Sequence, residues 1–93
     1  MKITLEISGG FAGFHRSISI DTESLGYDEK ERLLELVKSA NLFNARSAKP
    51  KRGADYIIYK IKVEEEGKSN TIEVTDISMS KALRELVDFL KKR

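Results

Sequence analysis

Four short runs of this chain alternate apolar with polar side chains, and two longer runs carry apolar residues at helical spacing. That periodic order constrains the fold more than any other feature. Ile3, Leu5 and Ile7 alternate with Thr4 and Glu6, the period of a half-buried strand. Ile18 and Ile20 alternate with Ser17 and Ser19, and carrying that phase back through Arg16 turns Phe14 inward and His15 outward. These two runs read as a hairpin. Ile57, Tyr59, Ile61 and Val63 form a third series, with Ile58, Lys60 and Lys62 on its other face. Glu64 to Asn70 then reads as a solvated turn into Ile72 and Val74, which makes a second hairpin.

The helical runs follow each hairpin. Asp28 with Glu31 three residues later is the pattern of a capping box, and Leu33, Leu36, Val37 and Ala40 follow on one face, widened by Leu34. Asn41 suits the stop, and Phe43 is expected to close over the helix end. A second helix from about Ser80 turns Ala82, Leu83, Leu86, Val87 and Leu90 inward and ends in Lys91, Lys92 and Arg93, cations that suit the negative end of a helix dipole.

The order β-β-α-β-β-α, with one apolar and one polar face on every strand, predicts an α+β fold. The expected form is a two-layer sandwich: a four-stranded antiparallel or mixed sheet with both helices on one face. At 93 residues the chain suffices for one core but not two, so residues 1–93 are expected to form a single domain. A hydrophobic content of 40% separates it from disordered chains. Its 17 basic and 15 acidic residues leave a formal charge of +2, too small for a general pull toward nucleic acid or membrane. Without cysteine there is no disulfide framework, thiolate metal cage or cysteine nucleophile. The opening Met1-Lys2-Ile3-Thr4-Leu5-Glu6 lacks the apolar segment of a signal peptide, and no run is long enough to span a bilayer. A bacterial-style cytoplasmic location is expected.

Two stretches stand apart from this pattern. Ser8-Gly9-Gly10-Phe11-Ala12-Gly13-Phe14 places three glycines and two phenylalanines between paired strands. Either Phe11 folds back onto the core, or it projects as an apolar anchor from a backbone able to approach a partner closely. The spacing is not that of a phosphate-binding loop, and a strand follows instead of a helix. The second stretch, Asn44 to Asp55, contains the only proline, Pro50, with Arg46, Lys49, Lys51, Arg52 and Gly53 around it. It exceeds the usual connection of about four to six residues. If the first helix returns antiparallel to the second strand, this loop begins at the same end of the sheet as the glycine loop. Thr75 to Ser80 also finishes there, so three connections share one rim.

Catalytic and metal-binding readings find little support. His15 is the only histidine, no donor set with metal-ligand spacing accompanies it, and Ser17 and Ser19 sit in a strand without a nucleophile elbow. Neither enzymatic activity nor a cofactor is expected. Lys49 to Arg52 could contact phosphates, and a nucleic-acid-binding or general interaction module is the alternative reading. Interleaved aromatics and a basic face around the cluster are missing, which argues against it. Glu64 to Glu66 is most simply a charged turn that blunts strand-edge association.

Over essentially its whole length the chain resembles the emfourin family, small protein inhibitors of thermolysin-like metallopeptidases. The resemblance is carried by Lys2-Ile3-Thr4-Leu5-Glu6-Ile7-Ser8-Gly9-Gly10-Phe11-Ala12-Gly13 and by the helix Leu33 to Phe43. Gly53-Ala54-Asp55-Tyr56 with Tyr59, and the strand Thr71 to Thr75, complete it. The Ser-Gly-Gly-Phe-Ala-Gly loop is its most specific part. The resemblance implies a non-enzymatic inhibitor whose partner is a thermolysin-like zinc metallopeptidase; separately, no small-molecule substrate is expected and the chain is expected to be a monomer. The expected contact surface is Gly9, Gly10, Phe11, Ala12 and Gly13 together with Lys49, Pro50, Lys51, Arg52, Gly53 and Asp55. Phe11 would suit a pocket that favours bulky apolar side chains, Lys51 or Arg52 would pair with acidic groups at the cleft edge, and Asp55 could reach the metal. A cytoplasmic inhibitor would meet a secreted target before export, or after joint release by a non-classical route.

Overall fold

In the computed structural model the described residues are 1–9, 14–47 and 57–92, the side chain of Phe14 excepted. They form the expected α+β arrangement. Strands β1 (Lys2–Gly9), β2 (Phe14–Asp21), β3 (Ile57–Glu65) and β4 (Lys68–Thr75) alternate with helices α1 (Tyr27–Ala40) and α2 (Lys81–Lys91) in the order predicted. The sheet order is β2-β1-β3-β4, and every neighbouring pair is antiparallel, which resolves the antiparallel-or-mixed alternative.

Register explains the faces. Ile3 lies between Ile20 and Val63, and Leu5 between Ile18 and Ile61; Ile7 pairs with Tyr59 on one side and Arg16 on the other. Ile61 and Tyr59 continue the rows into Ile72 and Val74. Ile3, Leu5, Ile7, Tyr59, Ile61, Val63, Ile72 and Val74 form one buried cluster with Leu33, Leu36 and Val37 of α1 and Leu83, Leu86, Val87 and Leu90 of α2, so both helices cover the same face; Ile18 packs against it partly buried, and Arg16 is exposed. Leu42 and Ile20 join the cluster, and Phe43 packs partly buried at its edge. The other face is mostly polar, and two of its rows, Asp21-Lys2-Glu64 and Glu6-Lys60-Glu73, alternate in charge. Lys60 sits opposite Glu6 on one side and Glu73 on the other, an arrangement that favours pairing across the strands.

Several local details depart from expectation. The capping residue of α1 is Gly26, which makes no side-chain cap, while Asp28 lies inside the first turn with Glu29. Two carboxylates near the helix N-terminus favour that end through the dipole, without the reciprocal hydrogen bonds of a capping box. The second hairpin is also tighter than a Glu64 to Asn70 turn, because Glu65 already pairs with Lys68. Gly67 adopts φ +70° there, a conformation that costs a side-chain-bearing residue about 1–2 kcal/mol. Thr22, read as part of a polar connection, is buried. Its backbone N–H and its hydroxyl both donate to the Met1 carbonyl, at 2.9 and 3.2 Å.

The direction of α1 is the main correction. It does not climb back along β2. It starts after a 3-10 turn, Thr22–Ser24, at the Met1 end of the sheet, and its C-terminus is tied to β4 near that same end. There Asn41 caps it in the left-handed conformation (φ 51°, ψ 45°), and Asn70 donates to Leu42 and Ala45 just beyond. α2 starts beyond the end of β4 and finishes where Arg16 of β2 donates to the Lys91 carbonyl at 3.2 Å. Both helices therefore lie across the strands, in opposite directions. Two helices about 10 Å wide, laid side by side, cover most of an eight-residue strand, which spans about 26 Å.

Candidate functional site

Three of the four strands begin or end at one level of the sheet. Gly9 closes β1, pairing with Phe14, which opens β2, and with Ile57, which opens β3. The backbone N–H of Asp76, just past β4, donates to the Ile57 carbonyl at 3.3 Å. Phe14, Gly9, Ile57 and Asp76 thus form one transverse row at the rim. Gly9 has φ +105°, a conformation that L side chains rarely adopt, so glycine is required at the point where the hairpin connection departs. The β1–β2 ladder is paired without interruption from Lys2↔Asp21 to Gly9↔Phe14, which braces the connection up to its base.

Of the residues singled out from the sequence, Gly9 lies in this row. Gly10, Phe11, Ala12 and Gly13, and likewise Lys49, Pro50, Lys51, Arg52, Gly53 and Asp55, lie outside the described residues. What the described residues establish is where the two segments join the scaffold. Residues 10–13 bridge two adjacent rim positions.

The second segment does not start where expected. Because α1 ends at the far end of the sheet, the chain after it must climb, and it does so along the outer edge of β4. Asn70 Nδ2 donates to the carbonyls of Leu42 and Ala45 at 2.8 and 2.9 Å, and the Ser47 hydroxyl accepts the Glu73 N–H at 2.9 Å. Ser47, the last described residue before the basic segment, therefore lies beside Glu73, part way up the sheet edge, and the described chain resumes at Ile57 on the rim.

The third connection on the rim is described in full. Ser78 N–H donates to the Thr75 carbonyl at 3.2 Å, closing a turn over Asp76 and Ile77. Thr75 N–H donates to Ser78 Oγ at 2.8 Å, the two hydroxyls are 3.0 Å apart, and Thr75 is buried although its register places it in the phase of the polar face. Arg84 of α2 reaches back to the Asp76 carbonyl at 2.6 Å. Ile77, at the tip, is 68% exposed. The sequence signal for it was present but slight: one isoleucine in the otherwise polar connection Thr75-Asp76-Ile77-Ser78.

The remaining chemistry is sparse. His15 is exposed and pairs across the strands with Ser8 on the polar face, and Ser17 and Ser19 lie on the same strand. No group of three or more His, Asp or Glu among the described residues is placed to hold a metal ion. A surface hollow of about 360 Å³ lies between the end of α1 and the β3–β4 turn, with Met1, Val37, Leu42 and Lys68 among its lining residues. It sits at the opposite end of the sheet from the rim. No helix among the described residues is long and apolar enough to cross a membrane.

The family model described as Emfourin matches residues 5–91 of the 93. That span takes in all but the first four and the last two residues, including the glycine-rich and the basic segments. No curated protein and no solved structure matches the chain.

Proposed function

The chain belongs to the Emfourin family, and from that premise we propose that it is a protein inhibitor of thermolysin-like zinc metallopeptidases that acts by occluding their active-site cleft. The observation that carries this reading is the family match across residues 5–91. The convergence of Gly9, Phe14 and Ile57 on one rim supports it, because the glycine-rich connection adjoins that rim at both its ends and the basic segment adjoins it at its C-terminal end.

In this reading the sheet and its two helices are a rigid base and the connections are the working parts. The glycine-rich hairpin, residues 9–13, enters the cleft with Phe11 in an apolar side-chain pocket. The full β1–β2 ladder beneath it holds the backbone in place, lowering the ordering cost of binding and resisting cleavage without a disulfide. Lys49, Lys51 and Arg52 approach acidic groups at the cleft edge, with Pro50 and Gly53 shaping the loop. The zinc stays on the enzyme and substrate is excluded sterically. Asp55 is the carboxylate in these segments able to approach the metal. The inhibitor itself performs no reaction and works as a single domain, one copy per enzyme. The test is an inhibition titration of the purified protein against several thermolysin-like peptidases.

A further inference from the structure

We propose that Ile77 is a further apolar anchor of the inhibitory surface, carried into an aliphatic side-chain pocket of the metallopeptidase on a preorganised turn. The proposal rests on the metallopeptidase-inhibitor reading above and adds a third contacting element to it.

The first argument is placement. Asp76 is hydrogen bonded to Ile57, which pairs with Gly9, which pairs with Phe14. Adjacent strands are about 4.8 Å apart, so the Ile77 turn stands about 14 Å along the rim from the base of the hairpin at Phe14. That separation fits within one protein–protein interface, whose half covers roughly 800 Å².

The second argument is rigidity. An isolated exposed isoleucine needs no explanation by itself. Ile77, however, is held from both sides. The Ser78 N–H to Thr75 carbonyl bond closes the turn, the Thr75 and Ser78 side chains lock it from within, and Arg84 fixes the Asp76 carbonyl from α2. A β-branched side chain on such a turn has few conformations left to lose on binding, which is the property of a good anchor.

The third argument is cost. Asp76 Oδ1 is buried without a hydrogen-bond partner, and the next residue exposes a large aliphatic side chain to water. Two local penalties thus coincide in one four-residue turn that Thr75, Ser78 and Arg84 hold in place. Such violations are expected where binding, and not the isolated fold, has shaped the residues. Tyr27 is the contrasting case. It is 77% exposed but lies at the start of α1, at the far end of the sheet.

The chemistry of the partner follows. The peptidase must present a dry pocket sized for a branched aliphatic chain, within reach of the pocket that takes the hairpin. A polar rim around Ile77, made by Asp76 and Ser78, would exclude water from the contact.

The test measures inhibition constants for wild type, Ile77→Ala, Ser78→Ala, the double variant and Tyr27→Ala against a thermolysin-like peptidase cleaving a synthetic peptide. Ile77→Ala is expected to raise the constant about tenfold or more, and Tyr27→Ala to leave it within about twofold. Ser78→Ala is expected to weaken inhibition in the wild-type background and to have little further effect once Ile77 is Ala, a dependence that a purely structural role would not give. An Ile77→Ala constant within about threefold of a potent wild type overturns the anchor and leaves the inhibitor reading standing. A wild type that inhibits none of the enzymes overturns that reading, and the anchor with it.

Discussion

The side-chain amide of Asn70 donates to the Leu42 carbonyl at 2.8 Å, and through the same nitrogen to the Ala45 carbonyl at 2.9 Å. One residue on β4 thereby fixes the chain that leaves α1. Asn70→Ala removes the donor from two carbonyls and should lower stability by about 1–3 kcal/mol, read as a reduced urea midpoint at unchanged slope. Asn70→Asp should cost at least as much, because a carboxylate would face both carbonyls. An unchanged midpoint for Asn70→Ala would mean that this tether contributes nothing. Residues 45–47 lead into the basic segment, so a weaker inhibition constant should accompany the loss of stability.

The two helix starts offer a matched comparison. Ser80 Oγ accepts the Leu83 N–H at 3.2 Å and caps α2, whereas α1 starts at Gly26 with no side-chain cap. Ser80→Ala should cost about 1 kcal/mol and Ser80→Gly only a few tenths. Asp28→Ala removes one of two first-turn carboxylates and should cost no more than about 0.3–1 kcal/mol, an effect that salt diminishes. Thermal unfolding of the three variants at low and high salt distinguishes a cap from a dipole contribution.

Much of the fold was legible because it follows from short periods. Alternation in β1, β3 and β4 and the helical stripe of α2 each assign a face without knowledge of the partner element. Asn41 could be read as a stop because asparagine tolerates the left-handed conformation it adopts. The path of α1 was not legible, because nothing in Leu33, Leu36 and Val37 tells whether the buried stripe runs along the strands or across them. That choice is made by the short Thr22–Ser24 turn and the Asn70 tether, contacts between residues far apart in sequence. Thr22 and Thr75 look like surface residues for a related reason, since their burial depends on the Met1 carbonyl and on Ser78. At the candidate site, Gly9 was recognisable from its type. Ile77 was not, because a lone isoleucine in a polar connection has no periodicity to mark it.

Phe11 is the hairpin residue with the most apolar surface to offer. If it is a central anchor, Phe11→Ala should weaken inhibition by about 2 kcal/mol or more, close to thirtyfold in the inhibition constant. Because it lies in a connection, the thermal midpoint of the variant should stay close to that of wild type. An unchanged constant would remove Phe11 from the contact surface and return it to the reading in which it folds onto the core.

The basic segment should act through charge. Replacing Lys49, Lys51 and Arg52 with Ala should slow association with the peptidase, and the difference from wild type should shrink as ionic strength rises from about 0.05 to 0.5 M. Salt-sensitive binding to nucleic acid that disappears in the same variant, without any change in peptidase inhibition, would support the nucleic-acid-binding alternative.

The most direct measurement is a titration of the wild-type protein against several purified thermolysin-like peptidases, following hydrolysis of a peptide substrate. The account predicts saturable, reversible loss of activity with one inhibitor bound per enzyme and with zinc retained on the enzyme. Full peptidase activity at micromolar inhibitor across the panel would contradict it.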